Sequence, residues 1–311
     1  MKTYYSALPP GSPPVMEFRL SITPSAPLRQ AKKRTRFITG CSSGIGKALC
    51  RRVLERGESD VCTARDERKL DDLVFGFPDR AIAMRLDVTD AGNVVSTLKQ
   101  AIALTGGIDV LVNNAGFGTV GALEETDEDA VRKAFDTNVY GSYRTVRAIL
   151  PHMRSRGHGH ILNVSSMTGF AGVPGFCFYS ATKFALEGMS EALAEEVAPF
   201  GITVTLIEPG PFRTDFRAAR SMQLAPPMEA YAPTVGKFRQ MLAETDGKQP
   251  GDPVKAADAI IAVVDAEKPP LRLPLGEACV GLIRKKLAHV GEELERWLEL
   301  SLSTSYEPAG Q

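Results

Sequence analysis

The sequence has few cysteines, and the five present (Cys41, Cys50, Cys62, Cys177 and Cys279) form no C-x-x-C pair. Scattered, odd-numbered thiols argue against a disulfide framework and against a structural zinc site, and they fit a reducing compartment. Charge of one sign is missing as well, because 37 Lys and Arg balance 37 Asp and Glu. Without a broad positive field, neither nucleic acid nor an anionic membrane is an expected partner, which leaves small-molecule work. No uninterrupted apolar run reaches about 18 residues, the length a membrane span needs, and the first residues lack the charged-then-apolar order of a secretory signal. The protein is therefore expected to be cytoplasmic. Histidine is scarce, with four in all. His152, His158 and His160 flank Arg154-Ser155-Arg156-Gly157 and are read as a solvated turn; no metal is expected.

What is present is ordinary for a globular protein: 43% apolar and 24% charged residues in 311, enough to bury a sizeable core. Residues 1–33 hold Pro9, Pro10, Pro13, Pro14, Pro24 and Pro27, then run into Lys32, Lys33, Arg34 and Arg36. Proline removes ladder donors, and the segment offers little apolar surface against its ordering entropy, so a disordered extension is expected, with Met16 as an alternative start. From Phe37 onward, short apolar runs alternate with helical patterns, the habit of a parallel sheet wrapped by helices. Strands are expected at Arg36–Thr39, Val61–Ala64, Ala81–Leu86, Val110–Val112, His160–Val164, Thr203–Ile207 and Leu271–Leu273. Ile45, Leu49 and Val53 recur at helical spacing before Gly57 and mark the first crossover helix. Residues 34–311 thus read as one doubly wound α/β domain with a seven-stranded parallel sheet.

The run Thr39-Gly40-Cys41-Ser42-Ser43-Gly44-Ile45-Gly46 falls between the first strand and the first helix. Glycines there let backbone amides approach a pyrophosphate, and the helix N-terminus favours its charge. Further on come Asn113-Asn114-Ala115-Gly116, Tyr179-x-x-x-Lys183 and Pro209-Gly210. Together, in this order, the motifs resemble the short-chain dehydrogenase/reductase family over roughly residues 34 to 275, with wording similar to the hydroxysteroid and retinol dehydrogenase branch. That resemblance implies a Rossmann fold holding a nicotinamide dinucleotide.

The resemblance also implies roles. Gly40, Ser42, Ser43, Gly44, Ile45 and Gly46 would cradle the pyrophosphate. An acid at the end of the second strand would bind the ribose hydroxyl of NAD, but Ala64 stands there and Arg65 follows. Its permanently charged fork suits a 2′-phosphate, so NADP(H) is expected in preference to NAD(H), with Ser42 adding a hydrogen bond and Asp66 lying alongside. Asp87 would contact the adenine and Val88 pack on it, or Asp87 would cap the next helix. Asn114, Ala115 and Gly116 would lie along the cofactor. Pro209, Gly210 and Thr214 would face the nicotinamide carboxamide.

Tyr179 and Lys183 stand at i and i+4, so both lie on one helix face. A free phenol titrates at about 10, and a nearby ammonium or an oxidised nicotinamide favours the phenolate. Lys183 is expected to lower that value and, by the resemblance, to hold the nicotinamide ribose, while Tyr179 gives or takes the proton. Ser166 would steady the substrate oxygen, with Ser165 as the neighbouring alternative. Asn138 would hold a water behind the lysine or bend its own helix.

Phe216, Met222, Leu224, Met228, Tyr231, Phe238, Met241 and Leu242 suggest an apolar lid over 215–253. With Phe176 and Phe178 it would line a pocket for a bulky apolar ketone or secondary alcohol, or simply pack onto the body. By resemblance, helices near 125–155 and 179–198 would form a homodimer or homotetramer. The run from Val280 to Leu302, with Leu282, Leu287, Leu294, Trp297 and Leu298, reads as a packed helix or an assembly element. The expected activity is NADP(H)-dependent interconversion of a carbonyl and a secondary alcohol. NAD-linked oxidation of a sterol-like or retinoid alcohol and a non-catalytic dinucleotide sensor are the alternatives.

Overall fold

Runs of Val, Ile and Leu become strands, and the amphipathic segments between them become helices. The computed structural model describes residues 34–306, so the extension expected at 1–33 lies outside the described residues. Strands β1 (Thr35–Ile38), β2 (Ser59–Ala64), β3 (Ala81–Arg85), β4 (Val110–Asn113), β5 (Gly118–Val120), β6 (Gly159–Val164), β7 (Ile202–Pro209), β8 (Met222–Leu224) and β9 (Arg272–Leu275) supply the sheets. The helices are α1 (Gly44–Glu55), α2 (Asp71–Gly76), α3 (Ala91–Thr105), α4 (Glu128–Phe135), α5 (Gly141–Arg156), α6 (Met167–Phe170), α7 (Cys177–Val197), α8 (Lys237–Glu244), α9 (Pro253–Asp265), α10 (Glu277–Arg296) and α11 (Leu298–Leu302). Seven strands form one parallel sheet in the order β3-β2-β1-β4-β6-β7-β9. Each of the seven expected strands is present, with ends shifted by no more than two residues.

Successive strand residues point to opposite faces, and both faces are covered, so the strand centres are apolar on both faces. Ile38, Cys62, Val112, Leu162 and Ile207 meet α1 and α9 through Leu49, Val53, Ile260 and Ile261. Their neighbours Phe37, Val61, Leu111 and Ile161 meet α3, α5 and α7 on the other face, through Val94, Leu98, Ile149, Met153 and Leu193. The chain runs outward from β1 to β3, then returns to lay β4 on the other side of β1. Strand order reverses there, and the loops after β1 and β4 diverge to leave a crevice at the carboxyl ends.

Three features depart from expectation. A second, two-stranded parallel sheet pairs β5 with β8, tying the loop after β4 to the 215–253 segment. His160 lies in β6, buried, with Nε2 against Thr205 Oγ1 at 2.9 Å rather than in a solvated turn. Burial holds its imidazole down at about 4, so it is neutral. Finally, the C-terminal run is helical but packed only at its start: Leu282 is half-buried, whereas Leu287, Leu294, Trp297 and Leu298 are all exposed. Among the described residues, no helix is long and apolar enough to cross a membrane.

Candidate active site

The glycine turn after β1 is built against the loop after β4. Gly40 and Gly44 have φ of 73° and 62°, the left-handed region that suits glycine. A Cβ at Gly46 would lie 2.3 Å from Asn114 Nδ2, and one at Gly40 2.9 Å from the Ala115 Cα. Asn114 Nδ2 donates to the carbonyls of Thr39 (2.8 Å) and Gly40 (3.1 Å), while Thr39 Oγ1 accepts from the amides of Asn114 and Ala115, each at 2.9 Å. Asn114 is therefore a strut between two loops, with its side-chain amide committed to the turn. Ser43 stands at the N-cap of α1 but makes no capping bond, and the first turn of α1 carries no acid. The leading amides of α1 thus keep their capacity for an anion. Ser42 and Ile45 are half-buried in the same turn.

At the end of β2, Ala64 is buried and Arg65 exposed. Asp66, the neighbouring acid, is engaged elsewhere: it caps the following turn and receives Arg68 Nε at 2.9 Å and Nη2 at 3.1 Å. Arg65 consequently has no carboxylate partner among the described residues. It lines an open depression of about 330 Å³ with Asp66, Glu67, Arg68 and Arg85. Asp87 Oδ1 accepts from the backbone and hydroxyl of Thr89 (3.0 and 2.7 Å), shaping a turn, while Asp90 rather than Asp87 caps α3. Val88 is buried and packs on Gly141, where an added Cβ would meet its Cγ2 at 2.8 Å.

Tyr179 and Lys183 lie on the buried face of α7. The ammonium is 5.7 Å from the Tyr179 ring centroid, and its Nζ donates to the Val164 carbonyl at 2.8 Å. Two aromatic rings collar the phenol, Phe176 at 5.3 Å and Phe216 at 5.7 Å between centroids. Ser166 caps α6, its Oγ accepting from the Thr168 amide at 3.1 Å. Burial pushes the Tyr179 phenol up to about 12, and the Ser166 hydroxyl only partly offsets it. Burial likewise lowers Lys183 to about 8, with the Glu187 carboxylate acting the other way. The expected lowering of the phenol by Lys183 is thus not realised in the protein alone, because desolvation of the phenolate outweighs an ammonium that is bonded to a carbonyl instead.

Asn138 sits in a π-helical turn, Asp136–Tyr140, between α4 and α5. Its amide clamps Phe117, accepting from the backbone N–H and donating to the carbonyl at 2.8 Å each, and also donates to Thr182 Oγ1 at 2.9 Å. Asn138 therefore fixes the loop after β4 to α7 one residue before Lys183. Gly116 fills the space between them: a Cβ there would lie 3.6 Å from Asn138 Oδ1 and 3.9 Å from Lys183 Nζ. Pro209 ends β7, and Gly210 donates to the Leu275 carbonyl at 3.0 Å. Thr214 packs its Cβ 3.5 Å from where a Gly44 Cβ would stand, so the 209–214 segment reaches the glycine turn. All these residues surround one crevice except Arg65, Asp87 and Val88, which border its β2–β3 end.

Two groupings had no signal in the sequence. One turn beyond Lys183, buried Glu187 faces Glu208 of β7, and Arg272 of β9 serves both, with Nε 3.0 Å from Glu187 Oε2 and 3.2 Å from Glu208 Oε1. Burial, then repulsion from Glu187, raises Glu208 to about 7. Under the glycine turn, Cys50, Asp60 and Cys62 gather with ligand atoms within 4.8 Å of one another, all buried. The first grouping joins elements far apart in sequence, and the second joins α1 to the strand that follows it through a packing contact; spacing alone reveals neither.

The short chain dehydrogenase family matches residues 34–225. Oxidoreductase BOA17 of Botryotinia fuckeliana is 38% identical over 270 residues, covering 86% of this chain and 98% of that protein. Retinol dehydrogenase 8 of Homo sapiens is 37% identical over 260 residues, 78% of this chain and 81% of its own length. Among solved structures, a short-chain dehydrogenase from Streptomyces avermitilis superposes with a TM-score of 0.82 at 45% identity, covering 88% of this chain and all of that one.

Proposed function

Since the chain belongs to the short-chain dehydrogenase family of oxidoreductases, we propose that it interconverts a carbonyl and a secondary alcohol with NADP(H), on a bulky apolar small molecule. The observation that carries this reading is the convergence of Tyr179, Lys183 and Ser166 beside a glycine turn at the strand-order reversal. The residues present fit a dinucleotide. Gly40 and Gly46 leave room that a side chain would fill, α1 presents uncapped amides, and Arg65 stands without a carboxylate partner next to Arg68 and Arg85. Of the three guanidinium groups at this depression, Arg68 is held by Asp66, and Arg65, with no carboxylate partner among the described residues, suits a 2′-phosphate better than a neutral ribose hydroxyl.

When bound, NADP(H) would supply or accept the hydride. Tyr179 protonates the carbonyl oxygen as the hydride arrives, and its phenol, held at about 12, is in the acid form at neutral pH. Ser166 hydrogen-bonds the same oxygen. Lys183 would hold the nicotinamide ribose, and Asn138 keeps Lys183 and the loop after β4 in register through Thr182 and Phe117. Phe176 and Phe216 exclude water from the phenol and present an apolar wall.

The 215–253 segment acts as the substrate lid, anchored through Phe216, Met222, Phe238 and Leu242 in a cluster with Val120 and Phe176. By family analogy the protein assembles as a homodimer or homotetramer, with Tyr140 exposed on the turn before α5, Tyr143 on α5 and Phe184 on α7. A second reading, NAD-linked oxidation of a retinoid or sterol-like alcohol, draws on the similarity to retinol dehydrogenase 8. Purified protein incubated with NADPH or NADH and a panel of carbonyls distinguishes these readings. Faster loss of NADPH with bulky apolar ketones is expected. Turnover confined to NADH, or to small charged carbonyls, contradicts the proposal, and cofactor binding without turnover on any substrate points to a sensor.

A further inference from the structure

Every described residue from Leu287 onward is exposed, so the last half of α10 and all of α11 lie clear of the body. A helix of that length is marginal in water by itself, and Gly291 within it weakens it further. Leu287, Val290, Leu294 and Trp297 nevertheless recur at steps of three and four, the a/d spacing of a paired helix. Leu287, Leu294 and Trp297 are each more than half exposed, at 57%, 56% and 58%. An apolar stripe on an otherwise unsupported helix calls for a covering surface.

We propose that the stripe is the contact face for the same helix of a second copy, running antiparallel. Charge along α10 is what selects this occupant. Arg284, Lys285 and Lys286 precede the centre of the stripe, and Glu292, Glu293 and Glu295 follow it. Among the described residues the three cations make no ion pair, and Glu293 has only His289 at 3.4 Å. Antiparallel pairing that sets Leu287 level with Val290 of a second copy puts Lys286 on the same flank of the seam as that copy's Glu293, two positions from level, and the two-fold repeats the pair. Parallel pairing would set like charges side by side, and an anionic bilayer would repel the acidic half of the helix.

Light scattering on the full chain eluting from a sizing column, over a dilution series, tests this. L287E/L294E is expected to halve the molar mass of the assembly while leaving near-ultraviolet circular dichroism unchanged. K286E alone replaces two attractions with two repulsions and weakens association roughly tenfold or more, and K286E/E293K restores it. Wild-type mass in L287E/L294E, or failure of the charge-reversed pair to recover, overturns the proposal. So does sedimentation of the wild type with phosphatidylserine vesicles when its mass equals that of L287E/L294E, because the stripe then belongs to a lipid surface.

Discussion

The two sides of the crevice are held by different means. On the cofactor side, glycines and two short polar side chains bonded to backbone set the shape: Thr39 Oγ1 and Asn114 Nδ2 bond backbone groups of the facing loop at 2.8 to 3.1 Å, and no side chain could replace Gly46. On the substrate side, large side chains hold one another. Phe176 and Phe238 meet edge-on at 4.8 Å, and buried Glu125 accepts from the amides of Ala122 and Met228 and from Arg239. Burial works against the Glu125 carboxylate, but these donors hold it below the usual range, so it stays charged. A glycine cradle locked to backbone suits a ligand that never changes, whereas a lid pinned by packed side chains can be re-specified by substitution.

The sharpest way to break that contrast is Gly46→Ala. Its Cβ would enter the space of Asn114 Nδ2, and NADPH affinity should fall at least about a hundredfold, read by fluorescence titration. Retained affinity would mean that the turn yields and the cradle is not rigid. Next in size, Arg65→Ala should weaken NADPH binding by roughly ten- to a hundredfold and leave NADH nearly unchanged. Equal loss with both cofactors would place Arg65 outside the 2′-phosphate site.

On the substrate side, Glu125→Gln keeps shape but removes the charge facing Arg239. A rise in KM of roughly tenfold with little change in NADPH affinity is expected. Loss of cofactor binding in this variant would show that the two sides are not independent.

The smallest effect is on pH. Lys183 loses its proton at about 8 in the fold against 10.5 when free. In that window the unfolded chain binds more protons, so the cost of burying the ammonium, complete at lower pH, is relieved as pH rises, and stability increases. The reductive kcat/KM should instead decline through about pH 8 as the ammonium is lost, and an unchanged profile to pH 9.5, roughly 1.5 units beyond that value, would exclude Lys183 as the titrating group.

The same contrast explains what was legible in the sequence. Strands buried on both faces announce themselves as apolar runs, and the glycine turn and Tyr179-Lys183 carry their spacing within one element. β5 and β8 have only three residues each and no such signal. The bonds of Asn114 to the glycine turn and the Glu187-Glu208-Arg272 group depend on contacts between distant elements, and the Cys50-Asp60-Cys62 group on how α1 packs against β2. The stripe on α10 was visible as a pattern, but a pattern shows which face is apolar and not what covers it. Whether Lys183 or burial governs Tyr179 also depended on tertiary structure, since desolvation has no local signature.

The most direct test of the central claim compares wild type with Tyr179→Phe in single-turnover reduction of an apolar ketone by NADPH. Loss of the phenolic proton alone should lower the rate by about a hundredfold or more, with NADPH affinity within about twofold of wild type. A Tyr179→Phe protein that reduces the ketone at the wild-type rate would contradict Tyr179 as the proton donor.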